Sequence, residues 1–194
     1  MNRRIGLFPG SFNPIHVGHL ILASYIKEFT DLDEIWFVVS PRNPGKDTDE
    51  LLDGNLRLKM AKMALGDWEG LKVSDIEFHM PLPSYTIDTI IKLTYENPDK
   101  EFTLIIGADK WTRLSQWKGA QQLRHEFNIL IYPRFGSQID IPEKFRENIH
   151  LLVEAPIMEI SSTFIRKSLR EGKDVCAFVP RQAYDFIREN GYYR

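Results

Sequence analysis

Four short apolar runs limit what this chain can fold into. Residues 5–8, 35–39, 102–106 and 127–132 are dominated by Ile, Leu, Val and Phe, without alternation of polar and apolar positions. A strand apolar on both faces must be covered on both, which is the situation of a strand inside a parallel sheet. Residues 73–76 and 149–153 add two weaker strand signals. Helical spacing fills the intervals. Leu22, Ile26 and Phe29 form one core stripe, and Leu56, Met60, Met63 and Ala64 form another within 55–66, with Arg57 off the stripe. Further helices are expected over 86–95, from Ser161 to a stop at Gly172, and from Pro180 to Gly191 with Ala183, Phe186 and Ile187 inward. Five or six strands interleaved with helices predict an α/β fold, a doubly wound parallel sheet with a small helical C-terminal extension over about residues 155–194. With 194 residues, the whole chain is read as one domain with one substantial core.

Composition removes several function classes. Lys and Arg number 25 against 27 Asp and Glu, a formal charge of −2, which gives no basic field for bulk nucleic-acid binding. The single cysteine, Cys176, excludes an internal disulfide and argues against a zinc cluster, so it is read as a core thiol. No apolar run approaches the ~18 residues of a membrane-spanning helix. The basic start, Met1 to Arg4, is followed by Pro9, Gly10, Asn13 and Pro14 rather than a secretory apolar core. A cytoplasmic location, no membrane association and an open possibility of homo-oligomers are expected.

The chemistry concentrates in residues 10–19, Gly-Ser-Phe-Asn-Pro-Ile-His-Val-Gly-His. They link the first strand to a helix. Gly10 and Gly18 are expected to relieve backbone conformations that a Cβ would obstruct, and Asn13-Pro14 marks a turn. The loop delivers His16 and His19 to a helix start, where unpaired N–H groups and the dipole favour an anion. No neighbouring carboxylate or cysteine completes a metal site with them.

Four other places carry candidates. Residues 40–46 leave the second strand at its carboxyl end, the edge where open α/β sheets bind ligands, and the polar stretch 47–54 reads as a mobile loop. Residues 81–86 precede a helix that Ser84 or Thr86 can cap. Asp109, just past a strand, suits ribose hydroxyls or a helix cap. Trp111 and Trp117 are core residues or stacking surfaces for a heteroaromatic ring. Finally, Ser162 and Arg166 share a helix face behind the cap Ser161, a combination suited to polyphosphate.

Taken together, strand, glycine turn, His-x-Gly-His and helix resemble the nucleotidyltransferase α/β-phosphodiesterase superfamily. Over nearly the full length the chain looks like the nicotinate-nucleotide adenylyltransferases, through residues 10–19, 41–46, Ser84-Tyr85-Thr86, Gly107-Ala108-Asp109, Trp117 and 160–166. The resemblance implies adenylyl transfer from ATP to nicotinate mononucleotide in NAD biosynthesis, giving nicotinate adenine dinucleotide and pyrophosphate. His16, His19, Lys46 and Arg166 would then be catalytic. Gly10, Ser11, Phe12, Gly18, Ser161, Ser162 and Arg166 would bind ATP, with Ser162 donating to a phosphate and Mg²⁺ carried on the phosphate oxygens rather than by protein ligands. Ser84, Tyr85, Thr86, Asp109, Trp117, Lys118 and Arg134 would bind the mononucleotide, with backbone N–H groups near Thr86 and Trp117-Lys118 facing the ring carboxylate. Two departures stand out. Lys118 replaces an aromatic residue found in some members, and Asn-Pro-Gly-Lys replaces the commoner Pro-His-Lys around Lys46. The rival readings are adenylyl transfer to nicotinamide mononucleotide or phosphopantetheine, and a nucleotide-binding regulator without turnover.

Overall fold

The computed structural model describes residues 2–42, 50–137 and 139–194. Six strands form one sheet: β1 (Arg3–Gly10), β2 (Glu34–Val39), β3 (Leu71–Ser74), β4 (Lys100–Gly107), β5 (Asn128–Tyr132) and β6 (Ile149–Leu151). Every neighbouring pair is parallel and the order is β3-β2-β1-β4-β5-β6. The chain steps outward from β1 to β3, then returns to the opposite side of β1 at β4. This reversal opens a crevice at the carboxyl ends of β1 and β4, where a doubly wound sheet takes its ligands. Gly10 ends one of these strands and Gly107 the other.

The helices are α1 (Val17–Phe29), α2 (Gly54–Leu65), α3 (Thr86–Glu96), α4 (Ala108–Trp111), α5 (Ala120–Glu126), α6 (Ser162–Arg170) and α7 (Arg181–Asn190). They cover both faces. On β2, Ile35, Phe37 and Val39 join a cluster with Ile26 of α1 and Met60 of α2. Val38 of β2, with Leu104 and Ile106 of β4, joins a second cluster with Ile90 of α3 and Leu123 of α5. The two-residue period of a strand sends neighbours to opposite covers, which is why the runs are apolar throughout. Each fully buried Ile, such as Ile26 or Ile105, is worth about 1.5–3 kcal/mol. Helices α6 and α7 add Ile165, Leu169, Ala183 and Ile187 to the cluster that holds Phe8 and Ile26. The C-terminal segment is therefore built into the cover of one sheet face, so "extension" understates it.

Several expectations change. Phe29 ends the α1 stripe in solvent, 71% exposed, stacked on Tyr25. Cys176 is exposed, not a core thiol. The third strand lies at Leu71–Ser74, and Ile76 opens a 3-10 turn instead. Neither Ser84 nor Thr86 caps α3: the cap position is Tyr85, with no side-chain bond, while the Ser84 hydroxyl donates to Glu77. The largest change is Arg57, fully buried in α2. Its guanidinium donates to the carbonyls of Leu52, Ser11, Ser40 and Pro41 at 2.5–2.8 Å. Of the stretch read as a mobile loop, 50–53 is tied down. Asn13 Nδ2 donates to the Glu50 carbonyl, and the Asp53 carboxylate caps α2 through Asn55 N and Leu56 N.

Candidate active site

The loop after β1 is shaped by one residue in an unfavourable conformation. Phe12 has φ +46°, a region that L-residues with large side chains rarely occupy. Its ring is held by edge and tilted contacts with Phe8 and Phe37. A Cβ on Gly10 would lie 2.8 Å from the Phe12 ring, and one on Gly18 would lie 3.1 Å from His16 Nδ1. Neither glycine has positive φ, so both are needed for close approach rather than for backbone freedom. His16 is the N-cap of α1 and His19 lies in its first turn. The two rings stack 3.6 Å apart. The His16 N–H donates to His19 Nδ1 at 3.2 Å, which selects the His19 tautomer with its proton on Nε2. His19 Nε2–H is then a donor whose ring orientation is fixed by backbone.

The start of α6 closes the other side. Ser161 caps the helix by accepting from Phe164 N. Ser162 Oγ donates to the Pro14 carbonyl at 2.9 Å, so its hydroxyl pins helix to loop instead of donating to a ligand as expected. Arg166 donates to the Asn13 carbonyl and to the Glu50 carboxylate, at 3.0 and 2.8 Å. Asn13 Oδ1 in turn accepts from the Tyr193 hydroxyl at 2.8 Å.

Between these elements lies a cleft of about 500 Å³ lined by Gly10, Ser11, Phe12, His16, His19, Asp109, Lys110, Arg134, Ser161, Ser162 and Arg166. Among the described residues, six buried polar side-chain atoms lack a hydrogen-bond partner, and five belong here: Ser11 Oγ, His16 Nδ1, Asp109 Oδ1, Arg134 Nε and Arg166 Nε. Buried polar groups are normally satisfied, so this concentration marks a site organised for a polar ligand. Arg134 Nε stands 3.6 Å from Asp109 Oδ1, too far for a hydrogen bond. Burial, assisted by the Arg134 charge, lowers the His16 pKa from 6.5 to about 4. In the free protein His16 is therefore neutral at pH 7 and acts as a hydrogen-bonding group rather than as a cation.

A second pocket of about 450 Å³ opens at the start of α3. Its walls include Ser84, Tyr85, Thr86, Glu77, Arg113, Trp117 and Lys118. Thr86 is the first residue of α3, so its N–H belongs to the unpaired first turn. Buried Glu77 accepts from Ser84 Oγ at 2.7 Å and Thr89 Oγ1 at 3.0 Å, which sets the approach to that helix. The Trp117 N–H is taken by the Leu114 carbonyl. The Lys118 side chain turns to Asp88 at 2.7 Å and covers the Tyr85 ring, so the departure at 118 leaves an anchored side chain beside the pocket.

The structure thus gathers the expected residues into two groups. Asp109 and Arg134, expected at the ribose and the phosphate of the mononucleotide, line the cleft with the histidines and not the second pocket. Gly18 leaves room for the His16 ring. Lys46 lies outside the described residues. Sequence reasoning missed Arg57, Glu77 and Lys110. Arg57 was legible only as an arginine at helical spacing, because its four carbonyl partners come from three separate segments. Glu77 gave no signal beyond lying near Ser84. Among the described residues no cluster of three or more His, Cys, Asp or Glu could hold a metal ion, and no helix is long and apolar enough to cross a membrane.

The chain is similar to known proteins in sequence and in fold. The cytidylyltransferase-like family model matches residues 7–168. The Bacteroides fragilis protein named "Probable nicotinate-nucleotide adenylyltransferase" is 46% identical over 95% of this chain and 90% of its own. A Flavobacterium johnsoniae protein of the same name is 44% identical over 98% and 99%. In three dimensions the chain is similar to Plasmodium falciparum nicotinic acid mononucleotide adenylyltransferase complexed with NaAD, with TM-score 0.81 and 21% identity, covering 98% of this chain and 97% of that one. That likeness bears on the fold; the bacterial relatives bear on the family. The chain belongs to the cytidylyltransferase-like family and, within it, to the nicotinate-nucleotide adenylyltransferases.

Proposed function

We propose that this protein transfers the adenylyl group of ATP to nicotinate mononucleotide, releasing pyrophosphate and nicotinate adenine dinucleotide. The single observation that carries the reading is the cleft of five unsatisfied buried polar atoms around the His-x-Gly-His helix start, opening onto a second pocket with Trp117 and the start of α3. ATP occupies the first and the pyridine nucleotide the second. Names given to the bacterial relatives point the same way.

The mononucleotide phosphate attacks the α-phosphorus in line, and the bond to the β-phosphate oxygen breaks with its electron pair leaving on pyrophosphate. No protein nucleophile is needed. Catalysis is positioning plus neutralisation of charge. His19 Nε2–H donates to the α-phosphate at the positive end of the α1 dipole. His16 takes up a phosphate oxygen, and Arg166, released from Glu50, serves the β- and γ-phosphates. Arg134 adds charge on the same side and Asp109 accepts from a ribose hydroxyl. Lys46 is assigned to the same phosphates by the family resemblance alone. The donor set around the cleft holds one carboxylate besides Glu50, which suits Mg²⁺ carried on phosphate oxygens with its own waters; bound that way it neutralises the departing charge. The ring carboxylate faces the Thr86 N–H and the backbone at Lys118, while Trp117 stacks on the pyridine. A carboxylate only accepts hydrogen bonds, whereas an amide also donates, so a pocket of N–H donors selects the acid.

The test is pyrophosphate release with ATP and Mg²⁺, comparing nicotinate mononucleotide, nicotinamide mononucleotide and phosphopantetheine. A preference for the acid of ~100-fold, about 2.7 kcal/mol, is expected. Equal use of acid and amide would remove the donor pocket as the discriminator. Absence of release with all three would favour a binding protein without turnover.

A further inference from the structure

The histidine cleft and the α3 pocket share three lining residues, Pro9, Gly10 and Lys110. Pro9 and Gly10 are the end of β1, and offer backbone at this point. Lys110 comes from α4, immediately beyond β4, across the crevice where the strand order reverses. Its Nζ stands 3.2 Å from the Pro9 carbonyl, which fixes the ammonium at the junction of the two pockets rather than deep in either.

That position has a chemical consequence which rests on the adenylyl-transfer reading. A nucleotide in each pocket must bring its phosphate to the junction, since the new bond joins the two. An oxygen of the incoming phosphate forms the bond to the α-phosphorus, and the pyrophosphate oxygen leaves with the bonding pair. Both partners are anions, so approach is opposed by their own charge at the place where Lys110 stands. We infer that Lys110 is a catalytic cation of the transfer step, touching the attacking phosphate and the α-phosphate together and lowering the repulsion between them. Its role differs from that of His16, His19 and Arg166, which line the ATP side alone. A lysine suits the task because its compact charge on a flexible stem can follow the α-phosphorus as it moves toward the incoming oxygen.

The experiment compares wild type with Lys110→Met and Lys110→Arg, measuring kcat and both KM values for ATP and nicotinate mononucleotide with Mg²⁺, alongside melting curves. The expected result is a fall in kcat of at least ~30-fold for Lys110→Met, on the scale of a lost charge-stabilising donor. Recovery to within about threefold of wild type is expected in Lys110→Arg, with unchanged melting in both. Active wild type together with a Lys110→Met kcat within twofold of it overturns the inference and leaves the adenylyl-transfer reading standing. So does an equal loss in Lys110→Met and Lys110→Arg, because charge would then not be the property that matters. Wild type that releases no pyrophosphate overturns the adenylyl-transfer reading, and this inference with it.

Discussion

The two halves of the cleft are held in place by opposite means. The histidine side is centred on one contiguous stretch, residues 10–19, joined by the α6 start and by Asp109 and Arg134, and it leaves polar atoms unsatisfied. On the α3 side, the pocket rests on satisfied side-chain pairs: Ser84 and Thr89 on Glu77, and Lys118 on Asp88. A site for charged phosphates can leave its donors waiting, because water and ligand replace one another there. A site that must distinguish an acid from an amide needs its N–H groups held still, and pays no role to spare donors. Arg57 joins the halves, holding the Ser11 carbonyl beside the first and the Ser40 carbonyl beside the second.

The contrast can be broken most sharply at His19. Replacing it by Ala removes a donor oriented by the His16 N–H and is expected to lower kcat ~100-fold with unchanged melting. A variant that melts normally and keeps more than half the activity would take His19 out of the mechanism. On the other side, Glu77→Ala should release Ser84 and Thr89, loosening the start of α3. The expected reading is a KM for nicotinate mononucleotide raised ~10-fold, with the KM for ATP within twofold. Equal increases in both would mean that Glu77 supports the fold at large rather than one pocket.

A separate effect, on stability rather than on turnover, is a dependence on pH. The folded pKa of His16, about 4, lies below the ordinary 6.5. Between these values the unfolded chain takes up a proton that the folded one refuses, so stability falls as pH drops from about 6.5 toward 4 and is fully present above that window. The whole loss is on the order of 3 kcal/mol. Melting of wild type and His16→Gln across pH 4–7 checks this. Curves of equal slope would mean that other groups govern acid unfolding.

Much of this was legible from residue order. Apolar runs without alternation implied strands covered on both faces, and all of the expected strands are present, with ends shifted by one to two residues. Ser161 caps its helix as its position before a helical stripe indicated. Expectations failed where a residue's role depended on distant chain. Phe29 fitted the α1 stripe, yet the sheet does not reach it. Cys176 looked like a core thiol because cysteines usually are, but it sits in an exposed turn between α6 and α7.

By itself the sequence determined the local chemistry: strand, turn and helix start at residues 10–19, with two imidazoles at the positive end of a dipole. Those are short-range consequences of glycine, proline and helix geometry, and need no knowledge of the rest of the chain. Tertiary structure decided which groups share the cleft. It set Asp109 and Arg134 with the histidines, turned the Ser162 hydroxyl onto Pro14, buried Arg57 among four carbonyls and brought Lys110 to the junction. Asp109 and Lys110 reach the cleft because β1 lies beside β4 in the sheet, which makes neighbours of residues about a hundred positions apart, and no local pattern encodes that adjacency.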